Sequence, residues 1–130
     1  MSNIICACGA TPSLIVACSG AADVGELADL AARKLSRDKK GAMFCLAGVG
    51  ARISGFVKSA EGAGNILVID GCPLNCAAKT LKEVSVEKIM HVTVTELGLV
   101  KGQCGISDAN VAKIYDKACD LLKESTKSEQ

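Results

Sequence analysis

The sequence predicts an α/β fold: a single-domain three-layer sandwich with a small doubly wound parallel sheet of about four strands in the order 2-1-3-4. Two observations predict it. Short apolar runs alternate four times with amphipathic stretches in which apolar residues recur every three or four positions. The runs are almost continuously apolar, as in strands covered by helices on both faces. A chain of 130 residues suits one domain spanning 1–130.

The first two strand–helix units occupy the first half of the chain. SLIVACSG at 13–20 is an apolar run ending in small residues, as a buried strand does. AMFCLAG at 42–48 predicts the second strand. A helical stripe follows the first strand at Val24, Leu27, Ala28, Ala31 and Leu35. Another follows the second strand at Ile53, Phe56, Val57 and Ala60.

The second half repeats the pattern. NILVID at 65–70 predicts the third strand, and IMHVTVTEL at 89–97 predicts the fourth. Between them, Cys72 is placed to cap a helix whose first residue is Pro73, since proline is favoured at that position. A last helix is expected from Ser107. Residues 1–12 are an N-terminal arm, and 123–130 form a polar tail that we expect to fray.

Composition excludes two classes of function. The net charge of +1 and the three aromatic residues give neither the basic surface nor the stacking groups of a nucleic-acid-binding protein. No Lys or Arg precedes Arg33, and no apolar run approaches the roughly 20 residues that span a bilayer. We therefore expect no nucleic acid and no membrane as partners, and a cytoplasmic location.

The eight cysteines point to the chemistry. In a reducing compartment, such a number favours metal binding or thiol chemistry over disulfides. Four of them lie at or just beyond the ends of predicted strands. Cys18 ends the first strand, Cys45 lies near the end of the second, Cys72 directly follows the third, and Cys76 is one helical turn further on. Parallel strands end at one edge of a sheet and lie about 4.8 Å apart, so these thiols are expected to converge there.

Four converging thiolates suit a tetrahedral zinc ion, whose bonds to sulfur are about 2.3 Å long. The same four ligands could instead hold an iron–sulfur cluster. Free cysteines also serve as small buried hydrophobic residues, so a purely structural role is the third interpretation. A tetrathiolate leaves no open position on zinc, which favours a structural or storage role over hydrolysis.

The chain resembles the DGC-domain family over about residues 13 to 100. The segments that carry the resemblance are VACSGAADVGELADLAARKL (16–35), FCLAGVGARISGF (44–56), IDGCPLNCAAKTL (69–81) and VTELG (94–98). The resemblance implies a zinc-binding protein with no defined reaction or substrate. The ligands that it implies are Cys18, Cys45, Cys72 and Cys76.

Two enzymatic interpretations compete. Cys72, after a strand and at a helix start, resembles a redox or nucleophilic thiol, although C-x₃-C is one residue longer than C-x-x-C. Cys45 and Arg52 flank a glycine-rich loop as in cysteine phosphatases, but their C-x₆-R spacing exceeds the C-x₅-R of such loops by one residue. We expect neither to displace the metal site.

Several residues near the predicted site have open roles. Cys6, Cys8 and Cys104 could form a second thiolate site, although free thiols are favoured slightly. The single His91 is expected to be structural. Asp70 either stabilises the Asp-Gly turn or orients the loop through hydrogen bonds to amides. Two cations, Arg52 and Lys79, could offset the charge of a zinc tetrathiolate.

Overall fold

The computed structural model describes residues 13–128, and within them the predicted α/β fold is confirmed. Four parallel strands form one sheet in the order β2-β1-β3-β4. The strands are β1 (Leu14–Ala17), β2 (Ala42–Met43), β3 (Ile66–Asp70) and β4 (Met90–Thr93). The helices are α1 (Asp23–Arg37), α2 (Leu46–Gly50), α3 (Ser54–Gly62), α4 (Cys76–Lys82) and α5 (Asp108–Ser128).

Strands β1 and β3 form the centre of the sheet and bring the chain to one edge. Leu14 pairs with Ile66, and Ala17 pairs with Ile69, so the two strands end almost level. Every residue of β3 is buried: the first four form the apolar run that predicts this, and the fifth is the charged Asp70. Because all four strands are parallel, the loops that follow them leave from the same side of the sheet. We call this side the carboxyl edge.

Helices α1 and α5 cover one face of the sheet. Leu27 and Leu35 of α1 and Ile114 of α5 are fully buried, and they belong to one apolar cluster with Ile15 and Leu67 of the sheet. The same cluster contains three small residues of α1, namely Ala28, Ala31 and Ala32. Aliphatic packing thus builds this half of the core without an aromatic ring in its fully buried part.

Helices α2, α3 and α4 cover the opposite face. Val49, Ala60 and Leu81 come from these three helices and pack with Val16 and Val68 of the central strands. Two faces with separate apolar clusters give the three layers predicted from the sequence.

The second strand is shorter than the sequence predicts. It contains only Ala42 and Met43, and Cys45 begins a helical turn instead of continuing the strand. The Cys45 sulfur accepts a hydrogen bond from the amide of Gly48 at 3.3 Å, which satisfies one of the free amides at the start of α2. The prediction of a strand over 42–48 was therefore wrong beyond Met43.

The helix after β3 begins later than predicted. Cys72 is not its N-cap and Pro73 is not its first residue, because α4 starts at Cys76. Residues 72–75 instead form a turn in which the Asn75 amide donates to the Cys72 carbonyl at 3.1 Å. Asn75 has the left-handed backbone conformation, with φ at 53°.

The last strand and the last helix also differ from expectation. Strand β4 ends at Thr93, and Val94–Leu97 form a 3₁₀ turn where the sequence predicted strand up to 97. Helix α5 extends to Ser128, and the expected fraying of 123–130 stays a prediction. Within the helices of residues 13–128, none is both long and apolar enough to cross a membrane.

Tyr115 offers a test of how α5 packs on α1. Its hydroxyl donates to Asp38 at 2.6 Å, and this hydrogen bond raises the pKa of Tyr115 to about 12. The folded pKa lies above the ordinary value of 10, so this stabilisation is present below pH 10 and is lost as the pH rises through about 12. The absorbance of tyrosinate measures the ionisation of Tyr115 directly, since the chain has one Tyr and no Trp.

We expect the absorbance midpoint of the folded protein to lie near 12 and to fall towards the ordinary value in Asp38→Asn. Asp120→Asn, a similar change on α5 without this bond, serves as the control. A wild-type midpoint equal to that of free tyrosine would contradict the assigned contact.

Candidate thiol site

The sulfur of Cys18 lies between the ends of the two central strands. Cys18 follows β1, and its Sγ accepts a hydrogen bond from the amide of Gly71 at 3.4 Å. Its own amide donates to the carbonyl of Ile69 at 3.0 Å, continuing the pairing of β1 with β3. The first predicted ligand is therefore fixed to the DGC segment itself.

Gly71 is required at this position because α1 approaches its backbone closely. A methyl carbon added there would lie 2.9 Å from the Val24 carbonyl carbon and 2.9 Å from the Gly25 amide nitrogen. Real side chains do not make such contacts with backbone, so only glycine lets the start of α1 reach the strand end. This close packing also holds the Gly71 amide against the Cys18 sulfur.

Cys18 and Cys45 line one cavity at the carboxyl edge. Its volume is about 790 Å³, which lies within the usual range for small-molecule sites. Met43 and Phe44 lie on its β2 side, and Thr80 of α4 closes another side. The thiols that follow β1 and β2 are thus brought to a common space, as the strand order predicted.

A polar network forms one wall of this cavity. Asp29 accepts hydrogen bonds from the Ser19 hydroxyl and from Arg33 Nε, each at 2.7 Å. Desolvation opposes ionisation of Asp29, but these two donors and the Arg33 charge hold its pKa below the ordinary value. Ser19 has a left-handed backbone, with φ at 52°. The bond to Asp29 therefore holds a strained residue directly after Cys18.

Cys72 lies on the other side of the DGC segment, beside a cation. Lys101 Nζ is 3.6 Å from its sulfur. Lys101 belongs to the loop between the 3₁₀ turn and α5, and sequence reasoning did not identify it. Its position after the fourth strand, at the carboxyl edge, was the signal available for finding it.

Asp23 at the start of α1 anchors the loop that carries Lys101. Its carboxylate accepts hydrogen bonds from the amides of Gly102 at 2.9 Å and Cys104 at 3.2 Å. It also accepts from the Cys104 sulfhydryl at 3.4 Å. The Gly102 amide contributes most to holding the pKa of Asp23 below its ordinary value, while partial desolvation opposes it. A loop distant in sequence is thereby tied to α1.

The same contact favours the protonated form of Cys104. Desolvation raises the pKa of the Cys104 thiol, and the hydrogen bond to Asp23 and its negative charge raise it further. Thiolates are the metal-binding form, so the structure disfavours Cys104 as a ligand. The other two cysteines of the suggested second site, Cys6 and Cys8, lie outside the described residues.

Asp70 is one of the two buried polar side chains among the described residues, with 1% exposure. Its carboxylate accepts hydrogen bonds from the amides of Ala77 at 2.7 Å and Ala78 at 3.2 Å, in the first turn of α4. His91 Nε2 on β4 lies 2.8 Å from the same carboxylate. Of the two roles suggested for Asp70, amide binding is the observed one. His91 contributes a contact that the sequence did not suggest.

Cys76 is the first residue of α4 and is exposed. All four predicted ligands therefore lie at the carboxyl edge, but they are not gathered around one point. Within residues 13–128, no three or more His, Cys, Asp or Glu side chains are arranged so that they could hold a metal ion. The donor types suit a soft metal, while the four-thiolate geometry stays a prediction.

Arg52 does not take either role suggested by the sequence. Its guanidinium donates to the Glu83 carbonyl at 3.3 Å and lies 3.7 Å from the Glu83 carboxylate. This pairing fits neither a phosphate loop built on Cys45 nor compensation of charge on a zinc tetrathiolate. Lys101 is the cation that the structure places against a predicted ligand.

Comparison with known proteins places the chain beside a family and a relative. The family model described as DGC domain matches residues 14–118. The chain is 40% identical over 88 residues to the anaerobic and virulence modulator AnvM of Pseudomonas aeruginosa, a match that covers 68% of this chain and 67% of the relative. No solved structure matches significantly.

Gly71→Ala tests the close packing beneath the DGC segment. The added methyl meets backbone atoms of α1 that cannot move alone, so we expect the free energy of unfolding to fall by about 1–3 kcal/mol. Urea denaturation of the apo-protein measures it. Gly64→Ala is the matched control, because a methyl there has no neighbour within 4 Å. Equal effects of the two substitutions would contradict the role assigned to Gly71.

Asp23→Asn tests the protonation of Cys104. Removing the negative charge is expected to lower the pKa of the Cys104 thiol and so to speed its alkylation at mildly alkaline pH. Residue-resolved mass spectrometry after iodoacetamide treatment measures the rate. Asp29→Asn, which removes a carboxylate bound to other donors, should leave Cys104 unchanged. An unaltered Cys104 rate in Asp23→Asn would refute the assigned cause.

Proposed function

Because this chain belongs to the DGC-domain family, we propose that it is a metal-binding protein that holds one zinc ion. The proposed ligands are the thiolates of Cys18, Cys45, Cys72 and Cys76 at the carboxyl edge. With four thiolates the coordination of zinc is complete, so the ion would have a structural or storage role. The proposal requires the four side chains, which are not assembled in this structure, to converge on binding.

The supporting observation is the set of N–H donors directed at three of these sulfurs. The Gly71 amide donates to Cys18, the Gly48 amide to Cys45, and the Lys101 ammonium to Cys72. Donors stabilise negative charge on sulfur, and thiolates are the form that binds metals. The two amides are fixed by the backbone and would remain available to coordinated thiolates.

Cys104 provides an internal contrast. Its sulfur lies against the carboxylate of Asp23 and acts as a donor, so it faces negative charge where the three other sulfurs face N–H groups. This difference supports leaving Cys104 outside the ligand set. It also supports the set that the order of the strands selected.

Lys101 has a second part in the proposal. Four thiolates around a divalent ion carry a net charge of −2, which is unfavourable near an apolar core unless cations offset it. The ammonium beside Cys72 supplies one positive charge at the carboxyl edge. The sequence suggested Arg52 and Lys79 for this role; Arg52 is paired with Glu83 instead, and Lys79 stays a prediction.

A second candidate function is thiol chemistry at Cys72. The observation in its favour is again the Lys101 ammonium, whose Nζ lies 3.6 Å from the Cys72 sulfur. The half-buried Cys72 would then act as nucleophile in the metal-free protein. The two candidates differ in whether the thiols are occupied in the purified protein.

The metal content of the protein decides between them. We expect protein purified without added metal to contain about one zinc per chain, to be colourless, and to protect four thiols from alkylation until a chelator is added. Elemental analysis, visible absorbance and thiol mapping measure these quantities. A brown, iron-containing protein would instead indicate a cluster. Metal-free protein with a rapidly alkylated Cys72 would overturn the zinc proposal.

Single substitutions test the ligand set. Cys18→Ser, Cys45→Ser, Cys72→Ser and Cys76→Ser should each reduce zinc content and remove the stabilisation that zinc gives the folded state. Cys104→Ser is the matched control, because a serine hydroxyl can still donate to Asp23. We expect the control to keep wild-type zinc content. Equal zinc loss in the control, or none in the four variants, would contradict the set.

A further inference from the structure

We propose that Asp70 and His91 are positioning residues for the thiol site: together they hold the first turn of α4, and with it Cys76, against the end of β3. The inference rests on the proposed metal-binding function and deepens it, because it says how one ligand is kept in place. His91 in particular gains a role that neither the sequence pattern nor the family motif gave it.

The first step is the environment of the Asp70 carboxylate. A carboxylate with 1% exposure is strongly unfavourable unless donors surround it. The donors come from two different elements, namely the amides of Ala77 and Ala78 on α4 and Nε2 of His91 on β4. The carboxylate therefore joins β3, α4 and β4 at a single point.

The second step is that α4 depends on this contact for its start. Amides in the first turn of a helix lack partners within the helix. The residue at the N-cap position, Asn75, makes no side-chain hydrogen bond to them. Its side chain instead accepts from the Thr93 hydroxyl at 3.5 Å. Asp70, on the neighbouring strand β3, thus takes the place of the usual N-cap side chain. Cys76 lies immediately before the two residues whose amides Asp70 binds.

The third step concerns Cys76 itself. The sulfurs of Cys18, Cys45 and Cys72 each have an N–H donor, whereas no described residue donates to the sulfur of Cys76. Cys76 is also exposed. Its position is consequently set by the backbone of α4, and the backbone is set by Asp70.

The fourth step separates His91 from Asp70. The Asp70 oxygen that His91 contacts also accepts from Ala78. When the imidazole is removed, both helix amides still have an acceptor within reach, but the carboxylate loses the contact that ties it to β4. The His91 side chain retains 27% exposure, against 1% for Asp70. Substitution of His91 should therefore free the carboxylate to shift without unfolding the domain. Substitution of Asp70 would remove the cap altogether.

The experiment uses cobalt(II) in place of zinc, because its spectrum reports ligand number and geometry. Thiolate-to-cobalt charge transfer grows with the number of thiolates, and Cys76→Ser provides the three-thiolate reference. We expect His91→Leu to shift the spectrum towards that reference and to weaken cobalt binding by about 10- to 100-fold. His91→Gln, whose amide can still donate to Asp70, should restore both properties.

A second measurement, made on the metal-free protein, accompanies the cobalt experiment. Hydrogen exchange of the Ala77 and Ala78 amides, followed by NMR in the apo-protein, should be faster in His91→Leu and close to wild type in His91→Gln. Thr95→Val is the control for a neighbouring substitution, because the buried Thr95 hydroxyl has no hydrogen-bond partner within the described residues. It should leave exchange and the cobalt spectrum unchanged.

The outcomes separate the two proposals. Wild-type protein that binds no cobalt would overturn the proposed function and, with it, this inference. A four-thiolate wild-type spectrum that His91→Leu leaves intact would overturn only the positioning role, whether or not amide exchange is faster. The positioning role would also be overturned if His91→Leu lost the four-thiolate spectrum and His91→Gln did not restore it. The effect would then not come from the hydrogen bond to Asp70.

Discussion

The buried carboxylate of Asp70 is the contact on which the carboxyl edge depends. A charged group so far from water must be surrounded by donors, and the donors come from the next helix and the neighbouring strand. The following residue, Gly71, packs against the backbone of α1. Cys72 then meets the loop before α5. Three successive residues thus join the third strand to every surrounding layer.

The fold could be predicted from the sequence because its signals are local. The apolar period separates strands from helices, and continuous apolar runs such as residues 66–69 indicate strands covered on both faces. The order of four parallel strands follows from short right-handed connections. Element starts were predicted less well. Helix α2 begins where the Cys45 sulfur caps it, and α4 begins where Asp70 caps it, and both are side-chain contacts that periodicity does not contain.

The candidate site could be predicted only in part, for a related reason. The order of the strands placed Cys18, Cys45 and Cys72 at one edge, and the structure agrees with that placement. Their partners could not be predicted, because the contacts join residues far apart in the chain. Lys101 is 29 positions from Cys72, and His91 is 21 positions from Asp70. Lysine and histidine in such positions usually indicate only solvent exposure or packing, so the sequence alone gave no reason to pair them.

The contact between the Cys18 sulfur and the Gly71 amide has a consequence for the order of events during folding. It joins residues 53 positions apart, across the pairing of the two central strands. Such non-local contacts slow folding, because the intervening chain must first close a long loop. During synthesis, neither the first strand nor its helix can complete the thiol edge alone. Only after the third strand has left the ribosome and paired with the first does this edge exist.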